Sequence, residues 1–259
     1  DIVKSRLQEL SEEETVALVE LLEANGLVKE QIIQTPELII HLEMFLQDYN
    51  KMFGLGFFPG LKSLALIQQH ITTIEGLDGC PCLEKLWLIE NDITEISGLD
   101  RLTRLKELYL FSNKIREISG LEHTTNLEQL SLADNYISEI QGLSKLTRLK
   151  RLDLARNDIK FIDDRLCPNS ELECLNLADN QIGSFKEVKA LSRLPKLVDL
   201  CFSDPMWGDC PLAGLCNYQT FVLFMLQGLT SLDTLLLADE TKALAEATFL
   251  KKQMYYNMR

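Results

Sequence analysis

The chain has 259 residues, of which 46% are hydrophobic, and its 39 acidic against 26 basic residues give a formal net charge of −13. A surface this acidic, with no local basic stripe, repels a phosphate backbone and disfavours nucleic acid as a ligand. No segment approaches the roughly 20 apolar residues of a membrane span, and the first residues lack the apolar run of a secretory signal. The seven cysteines lack zinc-site spacing, and their odd number predicts free thiols in the cytoplasm.

Residues 1–41 are predicted to form a helical N-terminal cap. Ser11 and Glu14 fit a capping box, in which the serine hydroxyl accepts from the third helical amide and the glutamate reaches back. A second helix is expected over 27–33, and Pro36 is expected to open a third.

Residues 42–204 are predicted to be a repeat array. Four asparagines recur every 22 residues, each within the frame L-x-x-L-x-L-x-x-N-x-I, and this fixed period is the signature of a leucine-rich repeat solenoid. The leucines alternate inward along a short strand, and the asparagine satisfies backbone groups at the corner that follows. We therefore predict an α/β solenoid with a curved parallel sheet on the concave face, and short helices and 3₁₀ turns on the convex face. The predicted structural ladder is Asn91, Asn113, Asn135, Asn157 and Asn180.

The ladder is predicted to weaken at both ends. A degenerate repeat over 42–52 is expected to place Asn50 at the ladder position, and Gln69 replaces asparagine in the repeat after it. In the last strand, over 197–205, Pro205 takes the ladder position. Because proline donates no hydrogen bond, the ladder and the sheet are expected to end there.

Two further segments follow the array. Residues 205–239 are predicted to cap the open end, because their apolar positions from Phe221 to Leu229 give the face that such a cap needs. Residues 240–259 are predicted to form a C-terminal helix, which has no stop signal and is expected to continue in the native chain.

No catalytic motif is present, and the three histidines, His41, His70 and His123, are too scattered for a triad or a metal site. We expect His70 to pair with Asp92, which shares its register on the neighbouring strand. The sequence therefore predicts no enzyme activity, cofactor, metal or small-molecule substrate. The concave sheet is left as the candidate surface for a protein partner.

Two zones are predicted on that face. One is aromatic and apolar, and Trp and Tyr are frequent binding hot spots. The other is acidic, with six aspartates against two arginines: Asp134, Asp153, Asp158, Asp179, Asp199 and Asp204 against Arg151 and Arg156. Two alternatives stay open, namely aromatics that stack on one another under the N-terminal segment, and aspartates that form a solvated face. The residues predicted to contact a partner are Trp87, Ile89, Glu90, Tyr109, Phe111, Lys114, Asp134, Tyr136, Arg151, Asp153, Arg156 and Asp158.

Residues 61–171 resemble the 22-residue leucine-rich repeat subclass typified by a protein phosphatase 1 regulatory subunit. That resemblance implies phosphatase regulation as an alternative function. Tyr218 followed by Leu232 and Asp233 resembles the terminal cap of intracellular family members.

Over most of its length the chain also resembles the N-terminal repeat array of the leucine-rich repeat-containing protein 9 family. The segments that carry this resemblance are the N-terminal helices, 83–88, 105–115, 179–205, 215–223 and 254–259. It implies a scaffold in a ciliary or flagellar assembly. The leading prediction is therefore a non-catalytic protein-interaction module, cytoplasmic or ciliary, that binds its partner through the concave sheet.

Overall fold

The computed structural model describes the backbone of residues 2–257 and the side chains of residues 3–251, so the last two residues of the predicted C-terminal helix lie outside the description. Within the described residues the strands of the main sheet follow chain order, and each repeat adds one short strand parallel to the one before it. These strands are β1 His41–Phe45, β2 Ser63–Ile67, β3 Lys85–Trp87, β4 Glu107–Tyr109, β5 Gln129–Ser131, β6 Arg151–Asp153, β7 Cys174–Asn176 and β8 Asp199–Cys201.

The leucines of the frame build the core. The central residue of each three-residue strand is a leucine that points inward, such as Leu86 and Leu108, both fully buried. The flanking positions of the same strands face outward and most stay partly exposed, although Ser131 and Cys201 are buried. Burial of each leucine contributes roughly 1.5–3 kcal/mol to the free energy of folding. The return segments close each layer with successive turns, for example the hydrogen bond from Leu102 N to Leu99 O (2.9 Å). The predicted parallel-sheet solenoid is confirmed.

Buried asparagines hold the layers together at the corner after each strand. Asn113 is typical: its Oδ1 accepts from the Ile93 amide at 3.1 Å, and its Nδ2 donates to the carbonyls of Leu88 (2.8 Å) and Leu110 (3.0 Å). One side chain thus satisfies backbone groups of its own repeat and of the repeat before it. The same bonds recur at Asn91, Asn135, Asn157 and Asn180.

The prediction that Asn50 occupies a ladder position was wrong. His41 pairs with Ser63, which puts position 47 in register with Gln69, and Asn50 is exposed. Gln69 is fully buried and acts in the ladder, because its Oε1 accepts from the Tyr49 amide (3.3 Å) and its Nε2 donates to a backbone carbonyl.

The prediction that the ladder ends at Pro205 was also wrong. Pro205 lies in ladder register, but the chain leaves the solenoid over 203–209 and returns at Cys210. The buried Cys210 thiol donates to the Leu177 carbonyl at 2.9 Å, as Asn180 donates to the Leu154 carbonyl one repeat earlier. A thiol therefore replaces the carboxamide, and the ladder continues by one layer.

The sheet also extends beyond β8. The excursion over 203–209 forms a separate hairpin of β9 Ser203–Asp204 and β10 Gly208–Asp209. Further along, β11 Ser231–Leu232 pairs parallel to β8, and β12 Leu235–Leu236 pairs antiparallel to β11. The expectation that β8 is the edge strand was therefore wrong, whereas the strand that the cap resemblance implies at Leu232 and Asp233 is present as β11.

Helices cap the N-terminal end. They are α1 Ile2–Gln8, α2 Glu12–Ala24 and α3 Lys29–Gln34, with a 3₁₀ turn over Pro36–Leu38. The predicted capping box of α2 is confirmed, since Ser11 Oγ accepts from the Glu14 amide (3.2 Å) and Glu14 accepts from the Ser11 amide (2.8 Å). Asn25 bonds both backbone groups of Glu43 in β1, which protects the first edge of the sheet.

The C-terminal end is covered by α4 Phe185–Leu191, α5 Tyr218–Met225 and α6 Asp239–Asn257. Tyr218 Oη donates to Asp233 Oδ1 at 3.1 Å, and the same oxygen accepts from the amide of Phe202 (2.9 Å). A stacked pair of rings, Phe224 and Phe249 with centroids 4.0 Å apart, joins α5 to α6. No helix among the described residues is long and apolar enough to cross a membrane.

Candidate functional site

A stacked aromatic pair lies at the centre of the concave sheet. Trp87 of β3 and Tyr109 of β4 share one register, and their rings stack with centroids 5.8 Å apart and planes 14° from parallel. Tyr109 Oη donates to Gln129 Oε1 on the next strand (3.0 Å), which fixes the phenol. Both rings are half-buried, so each keeps a free surface in a geometry that is already ordered before any partner arrives.

A second aromatic group is built by the hairpin over 203–209. Trp207 and Phe111 pack on a floor of small buried side chains contributed by successive repeats: Ala133, Ala155, Ala178 and Cys201. Alanine at one frame position in three repeats leaves a shallow depression in the surface of the sheet, and the indole and the phenyl ring pack into it. Sequence reasoning missed Trp207, although this row of alanines was a signal that something covers that part of the sheet.

Local contacts fix the hairpin. Ser203 Oγ donates to Asp209 Oδ1 (2.6 Å), and Asp204 Oδ1 accepts from the Met206 amide (2.7 Å). Gly208 has a φ of +124°, and a Cβ on it would lie 3.2 Å from Asp179 Cγ, so glycine lets the hairpin approach the sheet closely.

A cavity of about 660 Å³ opens between the aromatic pair and the hairpin. Tyr109 and Phe111 line one side, and Trp207 lines another. Three carboxylates and one cation also line it, namely Asp153, Asp199, Asp204 and Arg151. Among the described side chains, none of these four takes part in an ion pair.

Asp153 is the most enclosed of these carboxylates. Its Oδ1 accepts from the Ala155 amide at 3.1 Å. The pKa of Asp153 is raised to about 6, chiefly by burial and also by the charge of Asp204, while the Ala155 hydrogen bond acts in the opposite direction. Near neutral pH the cavity therefore holds an ionised carboxylate in a setting that disfavours its charge.

A row of charges beside the asparagine corners has a different character, because its members are paired. Asp92 binds Lys114 (2.7 Å) and His70 (3.2 Å), which confirms the predicted contact between His70 and Asp92. Arg156 bridges to Asp134 (3.3 Å), with Asp179 at 4.0 Å. Asp158 accepts from Gln181 Nε2 at 2.8 Å, and Glu90 accepts from the Gln68 side chain.

The residues predicted as one partner-binding set thus fall into separate groups. Trp87, Tyr109, Phe111, Arg151 and Asp153 lie on the sheet around the cavity. Tyr136 is 53% exposed in the corner row, where Arg116 lies 5.7 Å from its ring centroid. The corner row also holds Glu90, Lys114, Asp134, Arg156 and Asp158, and Ile89 is only 9% exposed.

The N-terminal helices lie elsewhere, against the first repeat. Arg6 lies 4.8 Å from the ring centroid of Phe57, and none of the described side chains of residues 3–41 lines the cavity. Within the part of the chain that the structure describes, no group of three or more His, Cys, Asp or Glu side chains is placed to hold a metal ion.

Fold and surface together define a curved solenoid with an aromatic and acidic concave face. The family profile described as "Leucine-rich repeat" matches residues 104–258, more than half of the chain. The chain belongs to the leucine-rich repeat family, whose fold is typical of protein–protein interaction modules.

Two solved structures share the fold. Internalin C2 from Listeria monocytogenes is 23% identical with a TM-score of 0.62, over 83% of this chain and 91% of that one. A chain of the SNF/U2A′ complex of Drosophila melanogaster is 24% identical with a TM-score of 0.51, over 56% of this chain and 82% of that one.

Proposed function

We propose that this protein is a non-catalytic interaction module that binds a protein partner on its concave sheet. The observation that carries the proposal is the stack of Trp87 on Tyr109, an ordered and partly exposed aromatic pair on a rigid surface. Aromatic side chains held in this way lose little entropy on binding and provide much of the energy at protein interfaces. The Drosophila structure is that of a complex, which supports the idea that this fold can serve in assemblies.

The test compares two faces of the molecule. Trp87→Ala combined with Tyr109→Ala removes the stack, and Phe161→Ala is the matched control, because Phe161 is 62% exposed on a return segment. Proteins captured from a lysate are quantified for each variant, and a partner that depends on the stack is then purified and titrated. We expect at least about a 30-fold loss of affinity for the double variant and none for the control, since each hot spot is worth about 2 kcal/mol or more. Equal affinity of the partner for the unsubstituted protein, the double variant and the control would contradict the proposal.

Regulation of a phosphatase is the alternative, and it rests on the unbroken 22-residue frame over 61–171 and its resemblance to a phosphatase regulatory subunit. Purified protein phosphatase 1 catalytic subunit is mixed with this chain and run through size-exclusion chromatography. Co-elution at the mass of a complex supports the alternative, and independent elution of the two proteins removes it.

A role in a ciliary or flagellar assembly is proposed from the resemblance to leucine-rich repeat-containing protein 9. The tagged protein is imaged in ciliated cells together with axonemal tubulin. Enrichment along the axoneme supports the role, and an even cytoplasmic distribution contradicts it.

A further inference from the structure

We infer that the cavity between the hairpin and the aromatic pair binds a basic side chain of the protein partner, with arginine the best fit. The inference rests on the proposed function, because it names the chemistry that the concave sheet recognises. Three features of the cavity carry it: unpaired carboxylates, aromatic walls, and an enclosed aspartate whose charge is disfavoured without a partner.

Within the described part of the chain, carboxylates without an ion-pair partner line the cavity. Several charges of neighbouring repeats are matched in ion pairs, as in Lys85–Glu107 (2.8 Å), Lys106–Glu84 (2.7 Å) and Lys150–Glu128 (2.8 Å). Around the cavity, by contrast, Asp153, Asp199 and Asp204 have no ion-pair partner among the described side chains. Arg151 alone lines the cavity as a cation, so a ligand that fills it meets net negative charge.

The aromatic walls select among ligands that could satisfy that charge. Trp207 and Phe111 present ring surfaces, and a cation over such a ring gains about 0.5–2 kcal/mol. A guanidinium is planar and weakly hydrated, so it can stack on an indole while it donates two bonds to a carboxylate. An apolar side chain would instead strip water from the three carboxylates without replacing its hydrogen bonds.

Asp153 couples this binding to pH. A bound cation favours the ionised carboxylate and lowers its pKa from the free value of about 6, so binding releases a proton near that pH. The other groups facing the cavity that carry or can carry charge are Tyr109, Asp199, Asp204, Arg151, Cys174 and Cys201. Affinity for a basic side chain should therefore rise as the pH increases from 5 to 7, and Asp153→Asn should remove most of that rise.

Trp207 itself can report occupancy. The chain has two tryptophans, so Trp87→Phe leaves Trp207 as the single tryptophan, which is excited selectively at the red edge of the absorption band. Into this background we titrate N-acetyl-arginine amide, and in parallel N-acetyl-citrulline amide, its neutral isostere, at constant ionic strength. We expect a saturable change in Trp207 emission for arginine, with a dissociation constant on the order of 1–10 mM, and none for citrulline below about 100 mM. Asp153→Asn combined with Asp204→Asn should weaken the arginine response by about tenfold or more.

A similar response to arginine and citrulline would overturn the inference, and so would unchanged arginine binding in the double aspartate variant. A second variant tests the hairpin without disrupting the solenoid. Deleting residues 204–208 puts Cys210 six positions after Asp199, the spacing that separates Asn180 from Cys174, so the ladder and the fold should persist. Circular dichroism and thermal melting check that fold. Because the deletion removes Trp207, arginine binding is followed here by NMR chemical-shift changes, and the deletion variant should lose it.

The affinity of the variants for the partner of the concave sheet distinguishes this inference from the proposed function. Loss of partner binding in the double aspartate variant and in the hairpin deletion supports the basic anchor. If both variants bind the partner at full affinity while Trp87→Ala with Tyr109→Ala does not, the basic anchor is wrong and the interaction module stands. If the aromatic variant also binds at full affinity, both are wrong.

Discussion

Replacing Asp153 by asparagine should stabilise the protein at neutral pH. The carboxylate lies in a half-buried site where burial raises its pKa from 3.8 to about 6. Asparagine keeps a carbonyl oxygen that can accept from the Ala155 amide, and it carries no charge to desolvate. The variant therefore removes a penalty that the native protein carries whenever Asp153 is ionised.

The sign and size of the effect follow from proton linkage. A carboxyl with a raised folded-state pKa binds protons more tightly in the folded state, so native stability falls as the pH rises from about 4 to about 6. The full pKa shift corresponds to about 3 kcal/mol in the free energy of unfolding, and this is the largest stabilisation that Asp153→Asn can give above pH 6. Below pH 4 both proteins carry a neutral side chain here, and the gain should vanish.

Urea unfolding at half-unit steps from pH 3.5 to pH 8 measures this difference. Asp78→Asn is the control, because Asp78 is exposed on a return segment, and we expect it to change stability by less than about 0.5 kcal/mol at every pH. A gain for Asp153→Asn that does not vary with pH, or a loss at pH 7, would refute the reasoning about the buried carboxylate.

Other substitutions test the solenoid. Gly120→Ala should lower the free energy of unfolding by about 3 kcal/mol or more, because φ is +69° and a Cβ would lie 2.1 Å from the Ile96 carbonyl oxygen. The control is Gly214→Ala, where a Cβ meets nothing within 4 Å and the loss should be less than about 0.5 kcal/mol. Thermal or urea unfolding measures both. Asn113→Ala should cost about 2–4 kcal/mol by the same assay, since it leaves buried backbone groups of two repeats unpaired, and a cost below about 1 kcal/mol would show that water replaces the ladder. Cys210→Ala should destabilise the protein more than Cys210→Ser, because serine keeps a hydrogen-bond donor. The opposite order would show that the thiol is not part of the ladder.

The regular part of the fold could be predicted because its determinants are local and periodic. A leucine every few residues and an asparagine at each corner specify a strand, its register and its inward face without any long-range information. Trp87 and Tyr109 could be placed on adjacent strands for the same reason, because they share one position of the frame.

The errors lie where that periodicity breaks. In the first repeat two overlapping frames compete, and only the pairing of His41 with Ser63 selects the one that leaves Asn50 outside. Near the other end, the excursion over 203–209 shifts the ladder position by five residues, from Pro205 to Cys210, and a thiol takes the place of the amide there. The concave site shares this origin, since the hairpin that brings Trp207 to the cavity is a departure from the repeat.

A photo-cross-linking experiment in cells tests the concave sheet most directly as the partner-binding surface. Arg151, exposed on that sheet, and Phe161, exposed on a return segment, are each replaced by p-benzoylphenylalanine and irradiated. We expect a discrete cross-linked protein from position 151 that disappears with Trp87→Ala and Tyr109→Ala, and no such product from position 161. Cross-links of equal yield from both positions, or a product at position 151 that survives loss of the aromatic pair, would contradict it.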